Sequence, residues 1–300
     1  MSFEDIMRPL PDVGMLRAPS LGKCFYVDRL STYASDSNEG TDPNYPLNTV
    51  QVAWDACTSL KNDYVFCINT RAEDDSITGT VTTAHIIGLM LNGAFSVNNI
   101  PRPAADTAMF TFPTAAIRSE LAGFNMNGGA NHGAVETSGS PSVLWIHHNV
   151  FGSNYAGSAT PKYGIYSVHG ASGLVHSTIE DNIFYGTTNT QVGKIDANAI
   201  YINSATMNII RRNVILGIPG VAMLFTSCYA NSILDNRISV YADSAHGISF
   251  DANSTGNWID GNSANFGDTD AQGTSPWVDA TTDKNNWGAN WVGNAVDFPA

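Results

Sequence analysis

Between Leu121 and Ala264, apolar and polar positions return in one short phrase. Its instances are Phe124-Asn125-Met126, Ile146-His147-His148-Asn149-Val150-Phe151, Ile179-Glu180-Asp181-Asn182-Ile183-Phe184, Ile210-Arg211-Arg212-Asn213-Val214-Ile215, Ile233-Leu234-Asp235-Asn236-Arg237-Ile238 and Ile259-Asp260-Gly261-Asn262. The asparagines Asn125, Asn149, Asn182, Asn213, Asn236 and Asn262 are separated by 24, 33, 31, 23 and 26 residues. Such periods mark a solenoid, in which each unit buries its apolar face only by stacking on the next. An apolar residue three places before the Asn, and usually another two after it, brackets a strand and then a bend. Asn suits a bend because it tolerates left-handed geometry and bonds locally to the main chain. Stacked bends would align the amides in a hydrogen-bonded ladder. A second strand per turn is predicted at Gly164-Ile165-Tyr166-Ser167-Val168, Ala199-Ile200-Tyr201-Ile202-Asn203, Val221-Ala222-Met223-Leu224-Phe225 and Gly247-Ile248-Ser249-Phe250-Asp251. Its β-branched and apolar content suits a narrow core. The pattern predicts an all-β parallel β-helix, with long loops at 154–163 and 186–197. A β-sandwich would show no recurring phrase.

The flanks obey different patterns. Residues 1–22 carry Pro9, Pro11, Pro19, Gly14 and Gly22 without periodicity and are expected to form an arm, disordered or docked on a partner. Lys23–Asp28 reads as a strand and 36–43 as a dense turn. A helix from Asn48 to Leu60 is expected, capped by Asn48 with Gln51 in a capping box and Leu47 against Val52 as a staple. Its stripe of Val50, Ala53, Trp54, Cys57 and Leu60 would cover the open end of the coil. Tyr64–Ile68, Ile86–Leu91 and Met109–Phe112 read as the first irregular strands. The expected organisation is an arm (1–22), a cap with irregular coils (23–115), the β-helix (116–265) and a polar tail (266–300). Trp277, Trp287 and Trp291 in the tail would cover the last coil or contact another subunit.

Composition narrows the partners. The 14 basic and 27 acidic residues leave a formal charge of −13. That field repels nucleic acid and anionic lipid. No apolar run of about 18 residues exists to span a bilayer, and Met1–Pro9 lacks the apolar region of a secretory signal. Synthesis in a cytoplasm, with reduced thiols at Cys24, Cys57, Cys67 and Cys228, is expected.

No cofactor or metal is expected. The cysteines lack metal spacing, and adjacent His147 and His148 on a strand would face opposite ways. The 36–40 turn fails the calcium-loop pattern, because Leu47 stands where a bidentate Glu is needed. No nucleophile elbow, phosphate loop or Cys-x-x-Cys occurs. The remaining candidate is a charged column of His148, Asp181, Arg212, Asp235 and Asp260, with His147, Glu180, Arg211, Leu234 and Ile259 one place earlier. Asp181 and Asp235, two coils apart, would lie roughly 9.6 Å from each other, near the upper limit of about 9.5 Å for an inverting glycosidase pair. Arg212 between them would keep both ionised. A sign-alternating register ladder, Glu180 with Arg211 and Asp181 with Arg212 and Asp235, therefore outweighs catalysis. Asp181, Arg212 and Asp235 remain fallback catalytic candidates. A lyase base is also lacking, since none of the five lysines (23, 61, 162, 194, 284) falls on an Asn-marked strand.

Phe25-Tyr26-Val27-Asp28, Ser35-Asp36-Ser37-Asn38-Glu39-Gly40-Thr41, Pro46 and Val50-Gln51-Val52-Ala53-Trp54-Asp55-Ala56-Cys57 resemble the entry segment of pectate-lyase-like right-handed β-helix proteins. The resemblance continues through Ile86-Ile87-Gly88-Leu89, Pro101-Arg102-Pro103 and the Asn-marked coils, covering about 23–292. Within that superfamily, Asn253-Ser254-Thr255-Gly256, Gly261-Asn262 and Asn290-Trp291-Val292 are similar to uncharacterised β-helix proteins of tailed phages. That likeness implies a non-enzymatic structural protein displayed on a virion, assembled in the host cytoplasm. The expected state is a homotrimer that contacts other virion proteins such as the major capsid protein, and a host surface glycan as a further partner. The alternative is a glycan-binding or glycan-degrading β-helix, a tailspike-type hydrolase or polysaccharide lyase, with Tyr155, Tyr163, Tyr166 and Tyr201 lining a sugar groove. A groove that combines exposed aromatics with carboxylates would favour this alternative.

Overall fold

The computed structural model describes residues 22–70, 76–89, 106–152, 161–168, 173–186, 194–240, 246–266, 276–281, 284–292 and 295–297. The expected 1–22 arm (apart from Gly22), Tyr155 and Pro101-Arg102-Pro103 lie outside them.

The chain is a right-handed parallel β-helix with three faces. Sheet 1 has ten strands running from Cys24–Asp28 to Asn286–Trp287, so the parallel coil extends beyond 116–265 in both directions. Sheet 2 runs from Asn125–Met126 to Asn290–Val292, where the antiparallel Ala295–Asp297 closes it. Sheet 3 runs from Ile77–Thr78 to Trp277–Asp279. From Glu120 onward the coils visit the sheets in that order; the described strands before it lie in sheets 1 and 3 only. Parallel pairing stacks like residues: Leu121, Ile146, Ile179, Ile210, Ile233 and Ile259 form one buried column. Phe151 and Phe184 stack at 4.6 Å, close to the strand spacing of about 4.8 Å. On sheet 3, Ile165 pairs with Ile200, which pairs with Met223. Ala222, not Val221, therefore stands in the Gly164 place.

The bends depart from expectation. The left-handed residues are His148, Asp181, Arg212 and Asp235, at φ 53–55°, with Gly261 at 71°; the Asn follows each of them. The corner thus falls on the charged column, and the Asn turns inward. The structure joins Asn149, Asn182, Asn213, Asn236 and Asn262 in one buried ladder. Asn182 is typical: its Nδ2 donates to Ile146 O (2.9 Å) and Asn213 Oδ1 (3.0 Å), and that same Oδ1 accepts from Asn182 N (3.1 Å). Every polar atom of the amide is used, which is what lets it sit in the core.

Asn125 is not a rung. Phe124 takes that place and donates its N–H to Asn149 Oδ1, while Asn125 Oδ1 finds no partner among the described residues. Asn290 extends the ladder at the other end. A second ladder, Asn208-Asn231-Asn257-Asn285, runs along the opposite edge of sheet 1, five residues before the first. Asp260 also leaves its expected column, because it pairs with Leu234; Gly261 is the corner residue.

The helix spans Val50–Ala56. Thr49, not Asn48, caps it, with Oγ1 accepting from Val52 N (3.3 Å). Gln51 bonds Asp55 and Thr78 instead of closing a capping box. Leu60 lies outside the stripe, exposed and left-handed at φ 64°. Asp36 holds the helix entry, accepting from Asn48 N and Thr49 N at 2.9 Å each. Trp54 is fully buried against Phe112 at 5.3 Å.

The tail tryptophans divide. Trp277 is buried in its own chain and lies 6.2 Å from Trp287, whose Nε1 donates to Asp279 Oδ2 (2.9 Å). These two cover the last coil, Trp277 buried and Trp287 partly so; Trp291 alone of the three is exposed. All four cysteines are free, and burial pushes the Cys57 and Cys228 thiols up to about 12, which keeps them unreactive.

Candidate functional site

Two outer faces gather the polar chemistry. On sheet 1 the register stacks Tyr64, His85, Glu120 and Trp145, with His147, Glu180 and Arg211 in the neighbouring column. Glu120 is bridged by His85 Nδ1 and His147 Nε2, each at 2.8 Å. Burial pushes this carboxyl up, but the hydrogen bonds and charges of the two imidazoles outweigh it, and it falls to about 2. His147 stacks on Trp145 at 3.8 Å, and Trp145 Nε1 donates to Glu180 Oε1 (2.8 Å). Glu180 Oε2 accepts from Arg211 Nε and Arg212 Nη2 at 2.7 Å each. Arg212 also grips Asp181 through two bonds (2.9 and 2.7 Å). Glu180 and Asp181 both fall below the usual carboxylate range, because the arginines overcome the desolvation that would raise them.

The fallback candidates are thus placed apart. Asp181 and Arg212 form a closed pair, while the described ion pairs of Arg212 go to Glu180 and Asp181 and not to Asp235. His147 and His148 do not face opposite ways: the left-handed corner at His148 turns its ring back, and the two Nδ1 atoms meet at 2.8 Å. Burial, and then His147, keep His148 below its ordinary value. Glu120, Glu180 and Asp181, paired and held below the usual carboxylate range, are poor proton donors.

Sheet 3 differs. Glu136, Tyr166 and Tyr201 stand in register on consecutive coils. Tyr163 joins them, stacked on Tyr166 at 4.4 Å and tilted against Tyr201 at 5.9 Å; Tyr166 and Tyr201 meet edge to face at 5.6 Å. An added Cβ at Gly164 would lie 2.6 Å from Phe184 and from Ala199 O, so only glycine fits there; Tyr163 is itself buried, while Tyr166 and Tyr201 are partly exposed. Lys162 Nζ lies 5.7 Å from the Tyr163 ring centroid, within cation–π range.

Two carboxyl groups flank the rings. Glu136 accepts from Gly133 N (2.9 Å) and lies 3.0 Å from His132 Nδ1. Asp196 lies beside Pro161, its N–H donating to Pro161 O (3.0 Å). Burial raises the Asp196 carboxyl, with Lys162 only partly opposing it, and the Asp196 and Glu136 charges in turn help raise the Tyr163 phenol. Asp196 is nonetheless solvent-exposed, so with Glu136 it offers a carboxyl group near the rings without the enclosure of a buried general acid.

The sequence pattern pointed to Tyr163, Tyr166 and Tyr201 but missed Glu136 and Asp196. Glu136 lies in a coil without an Asn rung, and Asp196 lies in a loop. No group of three or more His, Cys, Asp or Glu side chains among the described residues could hold a metal. A separate groove of about 570 Å³ on sheet 2 is lined by Leu216, Arg237, Ser239, Ser263 and Asn265, away from both clusters.

No protein-family model matches the chain, and no curated protein does. Among solved structures, the chain is similar to the GH136 lacto-N-biosidase from Eubacterium ramulus. The native protein matches with 10% identity and a TM-score of 0.38, over 91% of this chain and 68% of that one. The selenomethionine derivative matches with 12% identity and a TM-score of 0.40 over the same shares. The likeness is one of fold. At these scores the likeness carries no argument about activity; neither matched structure is a phage protein, and the expectation of a non-enzymatic virion protein is withdrawn for want of support.

Proposed function

We propose that the chain is a glycan-acting β-helix that seats a saccharide on the tyrosine platform of sheet 3. The observation that carries this reading is the union of Tyr163, Tyr166 and Tyr201 with Glu136 and Asp196 on one outer face. Sugar rings present apolar C–H faces that pack on aromatic surfaces, while their hydroxyls need carboxylate and amide partners. Asp196 and Glu136, the latter held by Gly133 and His132, are the carboxyl groups that would serve the glycosidic bond.

The test is a binding screen of the purified chain against plant, bacterial and host oligosaccharides, followed by reducing-end release from whatever binds. Binding that falls at least tenfold in Tyr166→Ala, with release abolished in Asp196→Asn, supports a hydrolase. Binding without release supports a recognition module on the same surface. An absence of saccharide binding, or binding indifferent to Tyr166, overturns the proposal.

A further inference from the structure

Two carboxyl groups stand at the platform against one lysine. Glu136 lies one coil from Tyr166, and Asp196 lies beside Pro161, near enough for its charge to act on Tyr163. Beyond Glu136, His132 leads to Asn131, which is bonded to Asp106 through its N–H (2.8 Å) and its side chain. The cation seen at the rings is Lys162, and it faces the Tyr163 ring and the Asp196 charge. Two of the guanidinium forks that could bind carboxylate or sulfate in two-point fashion, Arg211 and Arg212, are bonded to Glu180 and Asp181 on sheet 1. Across the whole chain the formal charge of −13 adds a repulsive background.

We infer that the platform selects uncharged saccharides and rejects uronate-, sialate- or sulfate-bearing chains, with Glu136 and Asp196 as the residues that set this preference. The inference rests on the platform being the sugar-contact surface. A glycan carboxylate laid on Tyr166 would meet the like charge of Glu136 one coil away and of Asp196 near Tyr163, with Lys162 already facing the Tyr163 ring and the Asp196 charge. Such repulsion is how a site excludes a ligand whose shape it would otherwise accept. The charge-neutral version of the same chain keeps the stacking and hydroxyl contacts.

Matched pairs of polymers test this on the full chain by affinity electrophoresis and calorimetry. They are methyl-esterified pectin against polygalacturonate, and plain xylan against glucuronate-bearing xylan. The expected result is a preference of about tenfold or more for the neutral member, on the order of one screened like-charge contact. The preference should shrink in Glu136→Gln and weaken as salt is raised. Tighter binding of the acidic members, lost in Tyr166→Ala, would overturn the charge inference and leave the platform standing. Binding of neither member of either pair, with the wider screen also silent, would remove the platform and this inference with it. Equal affinity for both members, unaffected by Glu136→Gln, would overturn the role given to these carboxylates.

Discussion

The outer faces of sheets 1 and 3 use similar residues to opposite ends. On sheet 1, Glu120, Glu180 and Asp181 are each bonded to imidazole, indole or guanidinium, and all three fall below the usual carboxylate range. On sheet 3, Asp196 is exposed with its carboxyl raised, and Glu136 and Asp196 lie near a partly exposed tyrosine cluster. A charge cluster that satisfies itself has little left to offer a ligand. The difference is between a closed network on sheet 1 and an open cluster on sheet 3.

Breaking the sheet 1 network should have the largest effect. Glu120→Gln removes a carboxylate whose folded value of about 2 lies below its unfolded value of about 4.5. A depressed carboxyl contributes stability above the unfolded value and loses it as pH falls from about 4.5 towards 2. The variant should be less stable by on the order of 3 kcal/mol at pH 7, with the gap to the parent closing below pH 4.5. Denaturant melts across pH check this; a gap independent of pH would show that Glu120 acts through packing alone.

Next in size, Asn213→Ala should cost about 1–3 kcal/mol, because Asn182 and Ile179 lose buried partners. Asn208→Ala in the second ladder should cost a similar amount, and neither should change saccharide affinity. Phe124→Asn would sharpen the point by testing whether a rung can be added where the chain has none.

Smaller in energy but decisive for the comparison, Tyr201→Ala should weaken saccharide binding by about tenfold, equivalent to about 1.4 kcal/mol. Its thermal midpoint should stay near the parent's, since Tyr201 is only partly buried.

Least of all, Asp181→Asn should cost under about 1 kcal/mol, because its Arg212 partner is largely solvated. Asp235→Asn should change neither stability nor binding. Loss of saccharide release in either variant would return catalysis to sheet 1.

Much of the coil was legible in the Ile-x-x-Asn phrase, since a narrow stacked core repeats like residues in register and each buried amide needs a like neighbour. The phrase misled at its ends. At Phe124-Asn125 the polar residue stands one place past the rung, and at Asp260-Gly261 the corner passes to glycine; a period counts residues but cannot say which one turns inward. The second ladder was also in view, as an Asn five places before the first from Asn208 onward, but unequal surroundings hid it.

What the sequence determined by itself is the repeat: isoleucines and asparagines that can be satisfied only by copies of themselves one coil away. Whether a charge is paired or available was decided by tertiary structure alone. Glu120 meets His85 and His147 from strands 35 and 27 residues away, and Asp196 comes beside Pro161 only because the chain completes a full turn between them. Pairing and burial are properties of the stack, and they set which carboxylates are held in ion pairs and which are not.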